Sequence, residues 1–183
     1  MRHIKIIKSI SLIISLFLIT SCSNNSAMKP EDFKNKEPRL IIEEYLSGNV
    51  KAWGVLQNRS GKVTRQFSAD LNGTWDGKQL ILKEKFNWDD GEVQDREWTI
   101  NKIDEHNYEG TAGDVVGKAV GYSYGPAFKF EYVLLVPVKG REMKITFDDW
   151  IFKQDDRVAI NRATMTKFGI KVAELTVAVS YTH

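Results

Sequence analysis

One cysteine and three histidines are all that 183 residues offer to thiol or soft-metal chemistry. His3 stands near the start, His106 in a polar stretch and His183 at the last position, so neither a zinc ligand set nor a Ser-His-Asp arrangement can be read from the chain. A phosphate-cradling glycine loop of the P-loop kind is missing as well. No metal site and no cofactor are therefore expected. A single thiol also cannot form an internal disulfide. Long apolar runs are equally scarce: Ile10 to Ile19 falls short of the roughly 20 residues that a membrane-spanning helix needs.

That short run belongs to a different pattern. Arg2, Lys5 and Lys8 precede it and Thr20-Ser21-Cys22 follow it, the layout of a secretory signal peptide over residues 1–21. Ile19-Thr20-Ser21-Cys22 resembles a bacterial lipobox, in which Cys22 receives a diacylglyceryl group; the alternative is an ordinary signal peptide that contains a cysteine. Several acyl chains anchor far more firmly than one. Residues 22–30 then read as a lipidated polar tether and 31–183 as a single domain. Ser23 stands where an aspartate would retain a lipoprotein in the inner membrane, which predicts the inner leaflet of the outer membrane, facing the periplasm. Without the leader the chain holds 23 basic against 24 acidic residues. Near-neutral charge in that compartment leaves no case for a nucleic-acid partner. The expected membrane contact is the lipid anchor, and no protein partner is specified.

The domain reads as strands and tight turns. Leu80, Leu82, Glu84, Phe86 and Trp88 alternate with Ile81, Lys83, Lys85 and Asn87 before Asp89-Asp90-Gly91, a three-residue loop ending on a left-handed glycine. This sets Glu84 against Arg96, Leu82 against Trp98 and Leu80 against Ile100, so a Glu and an Arg face each other on the core side. By the same logic Arg59-Ser60-Gly61 sets Trp53 opposite Phe67 and Val55 opposite Arg65. A two-residue turn at Asp76-Gly77 sets Leu71 against Leu82, Ala69 against Glu84 and Phe67 against Phe86. Lys139-Gly140 sets Leu134 against Ile145, Tyr132 against Phe147 and Phe130 against Asp149. A turn at Asp155-Asp156 sets Asp149 against Arg162 and Ile151 against Ile160, a second opposite-charge pair on the apolar face. Pro38 to Leu46 reads as a short helix stopped by Gly48.

Gly113, Gly117, Gly121 and Gly125 recur every fourth residue. On strands they form one small-residue face with Val115, Ala119 and Ser123. Such a face either leaves room for a ligand chain in a barrel interior or accommodates strand bends and large neighbours. About eight to ten antiparallel strands joined nearly in sequence predict an all-β fold, an up-and-down barrel of lipocalin or calycin type. Its interior would be just wide enough for side chains or one small ligand.

Phe86-Asn87-Trp88-Asp89-Asp90-Gly91, Arg96-Glu97-Trp98, the run Gly110 to Ala119, Phe147-Asp148-Asp149-Trp150, Asn161-Arg162-Ala163 and Lys167-Phe168-Gly169 resemble the motifs of the bacterial domain-of-unknown-function 3833 family of lipoproteins. The resemblance implies kinship, a lipoprotein habit and a single domain; it implies no activity. The lipocalin signature glycine-x-tryptophan stands here as Gly73-Thr74-Trp75, at the end of the second predicted strand rather than on the first.

Asp89-Asp90 and Asp155-Asp156 are turn residues. The candidate site is the inward set Arg65, Glu84, Arg96, Trp98, Asp149 and Arg162, with Asp114 and Asn161 nearby in the pattern. Three readings stay open: buried ion pairs that fix strand register, an arginine and its partner gripping the polar head of an amphipathic ligand, or carboxylates acting as general acid and base. The leading expectation is a non-catalytic binder of a fatty acid or lipid. The alternative is a filled barrel that docks an envelope protein, and a lipid-modifying enzyme using Asp149 or Glu84 is the third.

Overall fold

A computed structural model describes residues 27–138 and 140–181. The leader expected at residues 1–21, Cys22 and the part of the expected tether up to Ser26 lie outside them. Ten strands follow in order: β1 (Gly48–Asn58), β2 (Val63–Trp75), β3 (Gln79–Trp88), β4 (Val93–Lys102), β5 (Asn107–Thr111), β6 (Ala119–Tyr124), β7 (Ala127–Val138), β8 (Arg141–Lys153), β9 (Val158–Lys167) and β10 (Ile170–Tyr181). Each pairs antiparallel with the next, and β10 pairs with β1, so the sheet closes into a barrel without free outer strands. The described residues close the ring and plug one end of it.

Two hairpins have the expected register. In β3–β4, Trp88 N–H donates to Glu92 O and Gly91 takes φ +87°, which leaves Glu84 opposite Arg96 and Leu82 opposite Trp98. In β7–β8, Phe130 lies opposite Asp149 and Tyr132 opposite Phe147.

Three hairpins depart from it. Between β1 and β2 the three-residue loop forms, but Thr64 is an extra residue in a bulge, and Gly54 rather than Trp53 lies opposite Phe67. Trp53 turns outward, and the Phe67 ring lies over Gly54 where a Cβ would stand. Between β2 and β3 the Asp76 carboxylate accepts from the amides of Lys78 and Gln79, moving the loop along to Gly77 and Lys78. The register shifts by two, to Leu71 opposite Glu84 and Ala69 opposite Phe86, so inward residues stay inward. Between β8 and β9, Asp155 accepts from the amides of Arg157 and Val158, and Gln154 N–H donates to Val158 O. That loop is one residue longer than expected. A one-residue slip inverts β9: Asp149 lies opposite Ala163, Asn161 points inward and Arg162 points to solvent.

The glycine face does not exist. Residues 112–118 form a loop, Gly113 lies in open space, and Gly117 turns at φ +77°. Gly125 takes φ +52° in the β6–β7 turn and lets the backbone of Phe33 approach. Only Gly121 faces the core from a strand, and the ring of Phe128 occupies the space beside it.

The N-terminal segment plugs one end of the barrel. A 3-10 turn, Pro30–Phe33, packs outside, its Phe33 ring against Trp150 and Phe152. The expected helix shrinks to one turn, α1 (Ile42–Tyr45), which with Leu40 and Leu46 drives apolar side chains into the barrel. Tyr45 donates to Val179 O at 3.0 Å. Glu43, buried with them, is matched by Lys102 and by the Tyr108 hydroxyl at 2.9 Å. The Tyr108 hydroxyl is held well above its ordinary pKa, by burial first and by Glu43 next. The hairpin tips of β1–β2, β3–β4, β7–β8 and β9–β10 gather at the opposite end.

Candidate functional site

The interior is not completely filled. A cavity of about 130 Å³ runs from Ile42 and Leu46 of the plug, past Ala52, Leu82, Trp98 and Val177, to Phe86 and Leu175. Toward the hairpin tips, Trp88, Val136, Met143 and Met165 are only partly buried and pack against the core that encloses it. Its walls are aliphatic and aromatic because the strands alternate: Trp98, Phe130 and Tyr132 stand on the inner face, with the Trp98 ring centroid 5.2 Å from each of the other two.

One part of the wall is polar. Glu84 on β3, Arg96 on β4, Tyr132 on β7, Asp149 on β8 and Asn161 on β9 all line the cavity. Arg96 donates through Nε and Nη2 to Asp114 at 3.1 and 2.7 Å, and its Nη1 lies 3.9 Å from Glu84. Asp149 accepts from the Tyr132 hydroxyl at 2.9 Å with one oxygen and from Asn161 Nδ2 with the other. Asn161 also donates to Trp150 O at 3.0 Å. Glu84 Oε2 is buried and takes no hydrogen bond among the described residues.

The charge count is lopsided: three carboxylates surround one guanidinium in an apolar interior. Burial, opposed by Arg96 and reinforced by Asp149, pushes the Glu84 carboxyl from its ordinary 4.5 up to about 7. Burial also raises Asp149, against the hydrogen bonds from Asn161 and Tyr132. Tyr132 is held well above 10 by burial and by Asp149.

Asp114 reaches Arg96 from outside the regular sheet. The β4–β5 ladder ends at Thr99 opposite Thr111, leaving β4 without its β5 neighbour from Val93 to Trp98. The loop 112–118 covers that corner. It joins β7 through Val116 N–H to Val133 O and Leu135 N–H to Asp114 O, and joins β4 through the Arg96–Asp114 pair.

Of the six residues singled out from sequence, the structure brings together Glu84, Arg96, Trp98 and Asp149. Arg65 lies apart, paired with Asp90 and Glu92 at 2.8 and 2.9 Å, its guanidinium 4.0 Å over the Trp88 ring. Arg162 is outside the barrel, bound to Glu174. Tyr132 went unnoticed because an inward tyrosine among aromatic residues looks like core. No group of three His, Cys, Asp or Glu side chains among the described residues could hold a metal ion, and no helix among them is long and apolar enough to cross a membrane.

Comparisons with known proteins agree with this architecture. The chain is similar in structure to an S-type phycobiliprotein lyase, CPES, from Guillardia theta, with a TM-score of 0.57 and 10% identity over 77% of this chain and 90% of that one. It is similar to a protein of unknown function of the DUF3598 family from Nostoc punctiforme PCC 73102, with a TM-score of 0.60 and 15% identity over 80% of this chain. The match spans about half of that second protein, 51%. At such identities the likeness is one of fold. No curated protein matches the chain. Residues 16–180 match the family described as protein of unknown function (DUF3833), so the chain belongs to that family.

Proposed function

We propose that the barrel is a non-catalytic receptor for one small amphipathic ligand, held in the cell envelope by a lipid on Cys22. What carries the reading is an apolar cavity lined by Glu84, whose buried Oε2 takes no hydrogen bond among the described residues and has Arg96 Nη1 no nearer than 3.9 Å. Buried polar atoms in folded proteins nearly always find partners, so an exception beside a void points to a missing group. Size restricts that group. A cavity of about 130 Å³ compares with the roughly 150 Å³ that takes benzene and falls below the roughly 300–1,000 Å³ of drug-sized sites. A short acyl chain suits it, or the end of a longer one whose remainder leaves past Trp88, Met143 and Met165.

Charge restricts the head group. Arg96 is already matched by Glu84 and Asp114, so an ionised fatty-acid carboxylate would enter a site with negative charge in excess. A hydroxyl-bearing lipid, or a fatty acid in its protonated form, instead donates to Glu84. Catalysis by Asp149 finds less support, since both of its oxygens are occupied.

The test is a titration of the chain from Ser26 onward with alkanols and with alkanoates of equal length near pH 8, followed by tryptophan fluorescence and calorimetry. Saturable one-site binding is expected, stronger for the alcohols, and abolished by Ala52→Leu, which fills the cavity. Absence of saturable binding in both series would refute the reading. It would favour a solid scaffold, to which the Phe rings seated over Gly54, Gly110 and Gly121 already lend support. The anchor has its own test: Cys22→Ala should release the protein from the membrane fraction.

A further inference from the structure

The end of the barrel opposite the plug carries a second feature. Exposed apolar side chains collect at its hairpin tips: Val63 after the β1–β2 loop, Val93 after the β3–β4 loop, Val138 before the β7–β8 loop, and Phe168 and Ile170 at the β9–β10 turn. Phe168 is 94% exposed and Ile170 56%.

Phe168 is the unusual member. Lys167 pairs with Ile170, so Phe168 and Gly169 form a two-residue turn with φ +51° and +76°. Such turns favour Asn-Gly, because asparagine and glycine tolerate the left-handed region and a bulky side chain does not. A phenylalanine there strains the backbone and presents its ring to solvent, with Lys167 Nζ 5.3 Å from the ring centre. Core packing does not account for a ring this exposed.

The surrounding charge indicates what covers it. Because β10 pairs with β1 and β9 with β8, the β9–β10 tip stands between the β1–β2 and β7–β8 tips. These three neighbours carry Arg59, Lys62, Arg141, Lys167 and Lys171, against Glu142, with Glu174 holding Lys171 and Arg162 from further down β10. The acidic tip, Asp89, Asp90 and Glu92, belongs to β3–β4 and is tied to Arg65. An aromatic ring and aliphatic side chains set among lysines and arginines match the boundary between acyl chains and anionic headgroups. We propose that this arc, Val63, Val138, Phe168 and Ile170 within its basic border, docks on the surface of an anionic lipid bilayer. The partly buried Trp88, Val136, Met143 and Met165 lie at the same end, so docking brings them toward the lipid phase. The inference rests on the tips and not on what the cavity holds.

The test uses the chain from Ser26 onward, which contains all ten strands of the closed barrel and lacks Cys22 and the residues before it. It is sedimented with vesicles of phosphatidylcholine and with vesicles of phosphatidylcholine and phosphatidylglycerol in equal parts. Binding to the mixed vesicles is expected, with little to the neutral ones, and it should weaken as salt is added. Phe168→Asn suits the left-handed turn position, so it should preserve or raise thermal stability while reducing partition by about tenfold, the effect of withdrawing much of one aromatic side chain from an apolar phase. Wild-type protein remaining in the supernatant with anionic vesicles, or Phe168→Asn binding as wild type does, would overturn the proposal. So would a concentration-dependent dimer in the ultracentrifuge that Phe168→Asn abolishes, which would make a second copy of the chain the occupant.

Discussion

Glu84→Gln should change how stability depends on pH, and the sign follows from the site. In the folded protein the Glu84 carboxyl is pushed up to about 7, mainly by burial, against an ordinary 4.5 when the chain is unfolded. Between those values the folded state binds the proton more tightly than the unfolded state, so Glu84 makes the protein lose stability as pH rises through that window. The span corresponds to about 3 kcal/mol in order of magnitude. The groups facing Glu84 are Arg96 on β4, Asp114 in the covering loop and Asp149 on β8; Asp149 is also raised and adds a decline of the same sign. The turn aspartates Asp76, Asp90, Asp104 and Asp155 are lowered by backbone or arginine hydrogen bonds, so their stabilisation is lost only as pH falls through the acid range, outside the window. Gln mimics the protonated side chain. Urea unfolding should find the variant and wild type nearly equal at about pH 5, and the variant ahead by about 3 kcal/mol at about pH 8. Parallel curves over that range, or a wild type that gains stability from about pH 5 to about pH 8, would refute the buried, proton-binding Glu84.

Three further substitutions separate the inner cluster from the outer face. Asp114→Asn removes a charge-assisted pair from the corner where β4 lacks its β5 neighbour; it should cost about 1.5–3 kcal/mol in urea unfolding and speed amide exchange at Val116 and Leu135, which join the covering loop to β7. Arg162→Ala should cost under about 1 kcal/mol, since its partner lies on the outer face, whereas Arg96→Ala leaves Glu84 and Asp114 without their counter-charge and should cost about 3–5 kcal/mol. Equal losses would contradict the β9 register that separates the two arginines.

Register was legible where turn chemistry was unambiguous. Asp89-Asp90-Gly91 placed Glu84 against Arg96, two members of the polar cluster, and Phe130 against Asp149 followed from Lys139-Gly140, whose glycine takes φ +76°. It failed where an aspartate side chain rewrote the turn. Asp76 and Asp155 each bond amides two and three residues on, a local pattern whose loop length depends on which amides the carboxylate reaches. The Thr64 bulge left no mark in the alternation, because Gln57, Thr64 and Gln66 are polar on either side of it. The glycines misled because spacing by four fits a strand face only if the backbone is a strand, and Gly117 and Gly125 instead occupy positive φ. Asp114 stood out in the sequence as a candidate, but its partner did not: the contact with Arg96 depends on how a loop lies across a gap in the barrel wall.

The central claim, that the barrel holds an amphipathic ligand against Glu84, is tested most directly by native mass spectrometry of the protein purified from the cells that make it, with organic extraction of anything bound. The account predicts a stoichiometric small lipid carrying a hydrogen-bond donor at its head, lost from the Ala52→Leu variant. An unloaded barrel that also fails to take up added alkanols, or one whose bound lipid persists in Ala52→Leu, would contradict it.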